Sequence, residues 1–120
     1  MKTILVVDDK RVQLKTIRRG LRTKGYQVVE AISGKEALDH LVKHNHIDIV
    51  LTDYAMPEMN GIELLKKIRK KNKTIPVIIM TAYGDKSLVI EAMHYQCNGF
   101  IDKPFDMDEL LEEINNIPIK

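Results

Sequence analysis

Val77-Ile78-Ile79-Met80-Thr81 decides how the rest of the chain is read. Its apolar residues run without any polar alternation and stop at a hydroxyl. A strand with one wet face alternates polar and apolar side chains, whereas an unbroken run suits a strand covered on both faces. Working outward, Ile4 to Val7, Val28 with Val29, Ile47 to Leu51, and Phe100 with Ile101 are further short apolar runs. Between them, Leu14/Ile17/Leu21, Leu38/Leu41/Val42, Leu64/Leu65/Ile68, Val89/Ala92/Met93 and Met107/Leu110/Leu111/Ile114 recur at three and four residues, each an apolar helix stripe.

The helix ends carry their own chemistry. Ser33, Asn60 and Asp106 each stand three residues before a carboxylate (Glu36, Glu63 and Glu109), the spacing of a capping box. Gly25 and Gly99 sit where left-handed helix termini are expected. Strands alternating with helices through short connections predict an α/β fold, (βα)5, with a doubly wound parallel five-stranded sheet. The order 2-1-3-4-5 suits five such strands, with ligands expected beyond their carboxyl ends near the switch point. Residues 1–120 read as one domain, without internal repeat, low-complexity segment or linker.

Composition narrows the function classes. The 120 residues are 44% hydrophobic and 30% charged, with a net charge of only +2, so no global field points to nucleic acid. Cys97 is the single cysteine and is expected to be a packing residue in a reducing compartment. The apolar run after Met1 is too short for a signal peptide, and no stretch approaches the roughly 20 residues that cross a bilayer. A soluble cytoplasmic protein is expected, with no membrane partner.

The residues that close the strands carry the chemistry. Asp8 and Asp9 follow the first run, Asp53 the third, Thr81 the fourth and Lys103 the fifth. The fold would gather three carboxylates, a hydroxyl and an ammonium at one rim. Such carboxylates repel unless a cation intervenes, and an all-oxygen donor set suits Mg²⁺ or Mn²⁺. An acidic turn after the first strand opposes direct anion binding; it invites a metal first and a phosphate through it. Asp53 ends the central strand and is the nucleophile candidate, with Thr81 and Lys103 available to equatorial phosphoryl oxygens.

At this point the chain resembles the receiver domain of bacterial two-component response regulators. The likeness runs from Ile4-Leu5-Val6-Val7-Asp8-Asp9, through Leu51-Thr52-Asp53-Tyr54-Ala55-Met56-Pro57-Glu58-Met59-Asn60-Gly61 and Pro76 to Ala82, to Lys103-Pro104-Phe105. It implies a flavodoxin-like sheet of the CheY kind, in a stand-alone regulator like CheY or Spo0F or equally in a receiver cut from a longer transcription factor or enzyme. It further implies that Asp53 takes a phosphoryl group from a sensor histidine kinase or histidine phosphotransfer protein. Asp9 and Asp53 would ligate Mg²⁺ directly, Asp8 mainly through water, and the Ala55 carbonyl would complete the protein ligands. Thr81 would shift toward the phosphate and let Phe100 move inward, coupling chemistry to the face of the fourth helix, fifth strand and fifth helix. A cis peptide is implied before Pro104. The downstream effector is unspecified.

Other features are weighed beside these. Lys10 follows the acidic pair where such domains usually carry an acidic or amide side chain; it either weakens metal binding or projects into solvent, and solvent is expected. The resemblance implies that Ala55 and Tyr83 lie at positions that tune hydrolysis of the acyl phosphate across the family. His40, His44 and His46 resemble a weak metal patch but lack acidic partners, and are expected to be exposed. Lys66, Lys67, Arg69, Lys70, Lys71 and Lys73 crowd the end of the third helix, where cations complement the helix dipole; direct nucleic-acid binding is not expected. The first helix carries Arg18, Arg19 and Arg22, and the resemblance implies that its edge beside the site docks a kinase's helical domain. Two alternatives compete. A Mg²⁺-dependent phosphatase with an aspartyl nucleophile needs a general acid two residues after it, where Ala55 stands. A flavodoxin-like electron carrier needs a phosphate cradle that the first turn lacks. The chain is therefore expected to be a phosphoacceptor, not an enzyme, apart from slow self-hydrolysis.

Overall fold

The computed structural model describes residues 2–82 and 85–117. β1 (Thr3–Val7), β2 (Gln27–Ala31), β3 (Ile49–Asp53), β4 (Val77–Ala82) and β5 (Gly99–Lys103) form one sheet in the order β2-β1-β3-β4-β5. Every neighbouring pair is parallel. The helices α1 (Arg11–Thr23), α2 (Gly34–Lys43), α3 (Gly61–Lys71), α4 (Lys86–His94) and α5 (Met107–Asn115) alternate with the strands. The expected (βα)5 architecture and strand order are observed.

The period of two along each strand divides the core into two layers. Leu5, Val7, Val50, Val77 and Ile79 pack with Ala37, Leu64, Leu65, Ile68 and Ala92 of α2, α3 and α4. Their chain neighbours Ile4, Val6, Ile49, Leu51, Ile78 and Met80 pack with Leu14, Ile17 and Leu21 of α1 and Leu110 and Ile114 of α5. This is why Val77 to Met80 needs no polar residue: consecutive side chains enter opposite, equally dry layers. β2 lies at the sheet's edge, and only its Ala31 is fully buried.

Local chemistry sets the helix boundaries. Asn60 and Asp106 form complete capping boxes with Glu63 and Glu109. At Ser33 the box is half made: the hydroxyl accepts from Glu36 N–H, but the Glu36 carboxylate accepts from Ile32 N–H instead. Gly25 ends α1 at φ +94°, and a Cβ there would touch nothing, so glycine serves the backbone conformation. Gly99 differs from expectation. The left-handed residue after α4 is Gln96 at φ 64°, and Gly99 opens β5 where a Cβ would meet Glu113 Oε1 at 2.8 Å. Gly99 does not terminate the helix, and the atom its Cβ would meet is the far end of a flexible side chain. Two stripe residues also lie outside the core: Val42 is 72% exposed and Met93 62%. α4 is apolar on more than one face, and it is Ala92, flanked by half-buried Leu88 and Tyr95, that turns inward.

Candidate functional site

The parallel register carries the polar strand ends to one rim. Asp53 pairs with Met80, Thr81 with Asp102 and Ala82 with Lys103, while Asp8 follows β1 directly. Asp8 and Asp53 are buried and Asp9 is half-buried, and one carboxylate oxygen from each lies within 4.8 Å of the other two. Asp8 Oδ2, Asp9 Oδ1 and Asp53 Oδ2 are buried without a hydrogen-bond partner among the described residues. Buried carboxylate oxygens are rarely left so. Three converging orphan oxygens fit a hard divalent cation such as Mg²⁺ or Mn²⁺. Ala55 lines the same cleft beside Asp53 and Tyr54.

The electrostatics follow from crowding. Burial pushes the Asp8 carboxyl above its ordinary range, and the charge of Asp53 adds to this. A hydrogen bond from Lys10 N–H to Asp8 Oδ1, at 2.9 Å, opposes the rise, as do the Lys103 and Lys10 ammonium groups. Lys103 Nζ meets Asp53 Oδ1 at 2.8 Å, with the carboxylate 3% exposed. Lys103 also donates to Gln13 Oε1 at 3.2 Å. Gln13 was not singled out from the sequence, although a signal exists: it continues the buried positions Ile17 and Leu21 one turn toward the rim, an amide on an otherwise apolar stripe.

The loop after β3 is pinned against the site. Tyr54 N–H donates to Met80 O at 2.9 Å, and Gly61 N–H donates to Tyr54 O at 2.8 Å. A Cβ on Gly61 would stand 2.6 Å from Asp53 O and 3.0 Å from Tyr54 Cα. Glycine here lets α3 begin against the backbone of Asp53 itself.

Thr81 is buried at the rim, and its hydroxyl donates to Asp102 Oδ1 at 3.3 Å. Phe100, two residues before Asp102, is half-buried and packs against the layer containing Ala92. Thr81 and Phe100 are thus joined through one short piece of β5. The Lys103–Pro104 bond is cis, as the resemblance implies. Lys10 departs from expectation: its side chain is 60% exposed, yet Nζ lies 3.7 Å from Asp9 Oδ1 and 3.9 Å from Asp53 Oδ2. The field of the carboxylates draws its ammonium inward. Tyr83 lies outside the described residues.

The remaining candidates do not join this site. His40 and His44 stack with ring centroids 5.5 Å apart, and His44 meets His46 edge-on at the same distance. Among the described residues, only the aspartate trio brings three such ligand atoms within 4.8 Å of one another. His40 and His44 are half-buried and His46 is exposed. Within the lysine-rich end of α3, Lys66 Nζ lies 4.6 Å from the Tyr95 ring centre, and Arg69 donates to the Gln96 carbonyl and the Asn98 side chain. Those cations bind this chain's own surface. Leu14, Ile17 and Leu21 of α1 are core residues, and Arg18 pairs with Glu30 of β2 at 3.0 Å; the exposed apolar residue of that helix is Val12. Burial pushes the Cys97 thiol up, and its S–H donates to backbone carbonyls, in keeping with a packing role. No helix among the described residues is long and apolar enough to cross a membrane.

Comparison with known proteins agrees with this geometry. The family model of the response regulator receiver domain matches residues 4–115. A chemotaxis protein CheY homolog of Campylobacter jejuni is 40% identical over 117 residues, spanning 95% of this chain and 90% of the relative. Sporulation initiation phosphotransferase F of Bacillus subtilis is 36% identical over 118 residues, 98% of this chain and 94% of that protein. A response regulator receiver domain protein from Clostridium thermocellum superposes with a TM-score of 0.92 at 35% identity, covering 97% of this chain and 93% of its own.

Proposed function

The chain belongs to the response regulator receiver domain family, and from that premise we propose that Asp53 is its phosphoacceptor. The observation that carries this reading is the division of the Asp53 carboxylate: Oδ1 is held by Lys103 at 2.8 Å, while Oδ2 faces the acidic pair without a hydrogen-bond partner. A carboxylate oxygen of Asp53 attacks the phosphorus of a phosphohistidine. The P–N bond breaks with its electron pair going to the imidazole nitrogen, and an acyl phosphate forms. The donor is a sensor histidine kinase or a histidine phosphotransfer protein, and residues 1–120 act as one receiver unit.

Asp8, Asp9, Asp53 and the Ala55 carbonyl would hold Mg²⁺, or Mn²⁺. Such an ion supplies charge neutralisation for three carboxylates and an incoming phosphoryl group. Gln13 orients Lys103, whose ammonium passes from Asp53 to a phosphoryl oxygen as negative charge arrives. The Thr81 hydroxyl exchanges Asp102 for another phosphoryl oxygen. Phe100 then repacks, because the new group brings roughly two negative charges and strong acceptors. Catalytic turnover of phosphate esters is disfavoured, since Ala55 offers no proton to a leaving group. The single cysteine, a free thiol, suits a reducing compartment and supports a cytoplasmic signalling role. The test is intact-mass analysis after incubation with phosphoramidate and Mg²⁺. Wild type should gain one alkali-labile phosphoryl group and Asp53→Asn none; equal labelling of both removes Asp53 from this role.

A further inference from the structure

Lys10 touches all three members of the acidic cluster. Its N–H donates to Asp8 Oδ1 at 2.9 Å, and its Nζ lies 3.7 Å from Asp9 Oδ1 and 3.9 Å from Asp53 Oδ2. Those last two oxygens are among the three that are buried without a hydrogen-bond partner. The ammonium therefore stands beside two of the carboxylates that would hold a divalent cation.

The two lysines at Asp53 are held differently. Lys103 is 23% exposed, makes a 2.8 Å contact and is steadied by Gln13. Lys10 is 60% exposed, and both its ion contacts are longer than a hydrogen bond. Among the described residues, no hydrogen bond from its ammonium fixes it. Lys10 also stands at the N-cap of α1, whose first turn contains no acidic residue. A cation at that end of a helix opposes the dipole. The carboxylates are what favour its inward position. With Lys10 turned in, three ionised carboxylates and two ammonium groups leave one net negative charge; turned out, they leave two, the complement of a divalent ion.

We propose that Lys10 is a displaceable counter-ion: its ammonium neutralises Asp9 and Asp53 where a divalent cation would bind, and the two compete. The inference rests on the metal site described under Proposed function and concerns its regulation. Loading with Mg²⁺ expels the ammonium to solvent, which its exposure and flexible stem permit. The charge lowers divalent affinity and guards the unloaded carboxylates against mutual repulsion.

The test is a Mg²⁺ titration at low ionic strength, read by calorimetry and by the backbone amide shift of Tyr54. Removing an ammonium about 4 Å from two carboxylates should tighten Mg²⁺ binding by about ten-fold in Lys10→Gln. Lys10→Arg should stay near wild type. Arg11→Gln, which removes an exposed neighbouring charge, should change affinity by less than about two-fold. Unchanged or weaker binding in Lys10→Gln overturns the proposal, and so does an equal gain in Arg11→Gln, which would make the effect one of bulk charge. Asp9→Ala is the control for the site itself: if it binds Mg²⁺ as wild type does, the metal reading fails and takes this inference with it. If Asp9→Ala loses binding while Lys10→Gln gains nothing, only the role of Lys10 fails.

Discussion

The carboxyl rim of the sheet and the opposite, amino rim each gather side chains able to ligate a metal, and they differ in every physical respect that matters. At the first, Asp8, Asp9 and Asp53 converge within 4.8 Å and leave three buried oxygens without hydrogen-bond partners. At the second, where α2 ends before β3, His40 and His44 stack and His46 meets His44 edge-on, without such convergence. Residue type alone does not make a site. Parallel strands aim their last side chains at a common crevice, whereas His40 and His44, one turn apart on one helix face, meet ring to ring and gather no third ligand atom among the described residues.

The contrast is broken most directly by exchanging effects between the rims. Asp9→Ala should weaken Mg²⁺ binding on the order of 100-fold, since losing a proposed ligand should cost at least as much as losing a group that only orients one. His44→Ala should leave it unchanged in the same calorimetric titration; equal losses would place the metal elsewhere.

Two glycines sharpen the comparison. Gly61 at the carboxyl rim is needed for contact, because a Cβ would press on Asp53 O at 2.6 Å. Gly61→Ala should lower stability by about 2 kcal/mol and slow phosphorylation, since relief comes by moving the Asp53 backbone. Gly25, at the amino rim, is needed only for its φ of +94°. Gly25→Ala should cost about 1 kcal/mol and leave phosphorylation untouched. Urea unfolding together with labelling rates separates the two.

The smallest expected effect has a definite sign. A carboxyl whose native pKa lies above its unfolded value holds its proton more tightly when folded, so stability falls as pH rises above that unfolded value. Burial raises Asp8 above 3.8, so in chelator its ionisation destabilises the metal-free protein at neutral pH. Asp8→Asn should then unfold at higher urea than wild type at pH 7, and the gap should close as the pH falls toward 3.8. A gap that widened on acidification would contradict the assignment.

Much of this was legible in the chain because periodicity and strand ends are local properties. The unalternating Val77 to Met80 announced two dry layers, and the residues closing each run named Asp8, Asp53, Thr81 and Lys103 at the rim. What escaped depends on contacts between distant segments. Gln13 reaches Lys103 across 90 positions, and Thr81 finds Asp102 because of strand register. Lys10 reads as a solvated lysine until the carboxylates it faces are assembled. Gly99 looks like a helix terminus because spacing cannot show that the left-handed turn after α4 falls on Gln96. Val42 and Met93 satisfy a helical period yet lie outside the core, because a stripe wider than the contact leaves a margin in water.

The most direct test of an acceptor at Asp53 is borohydride reduction of the freshly phosphorylated protein, which converts an acyl phosphate to homoserine, followed by peptide mapping by mass spectrometry. The expected result is homoserine at position 53 and nowhere else. Homoserine at position 8 or 9, or phosphate retained on a residue that borohydride does not reduce, would contradict it.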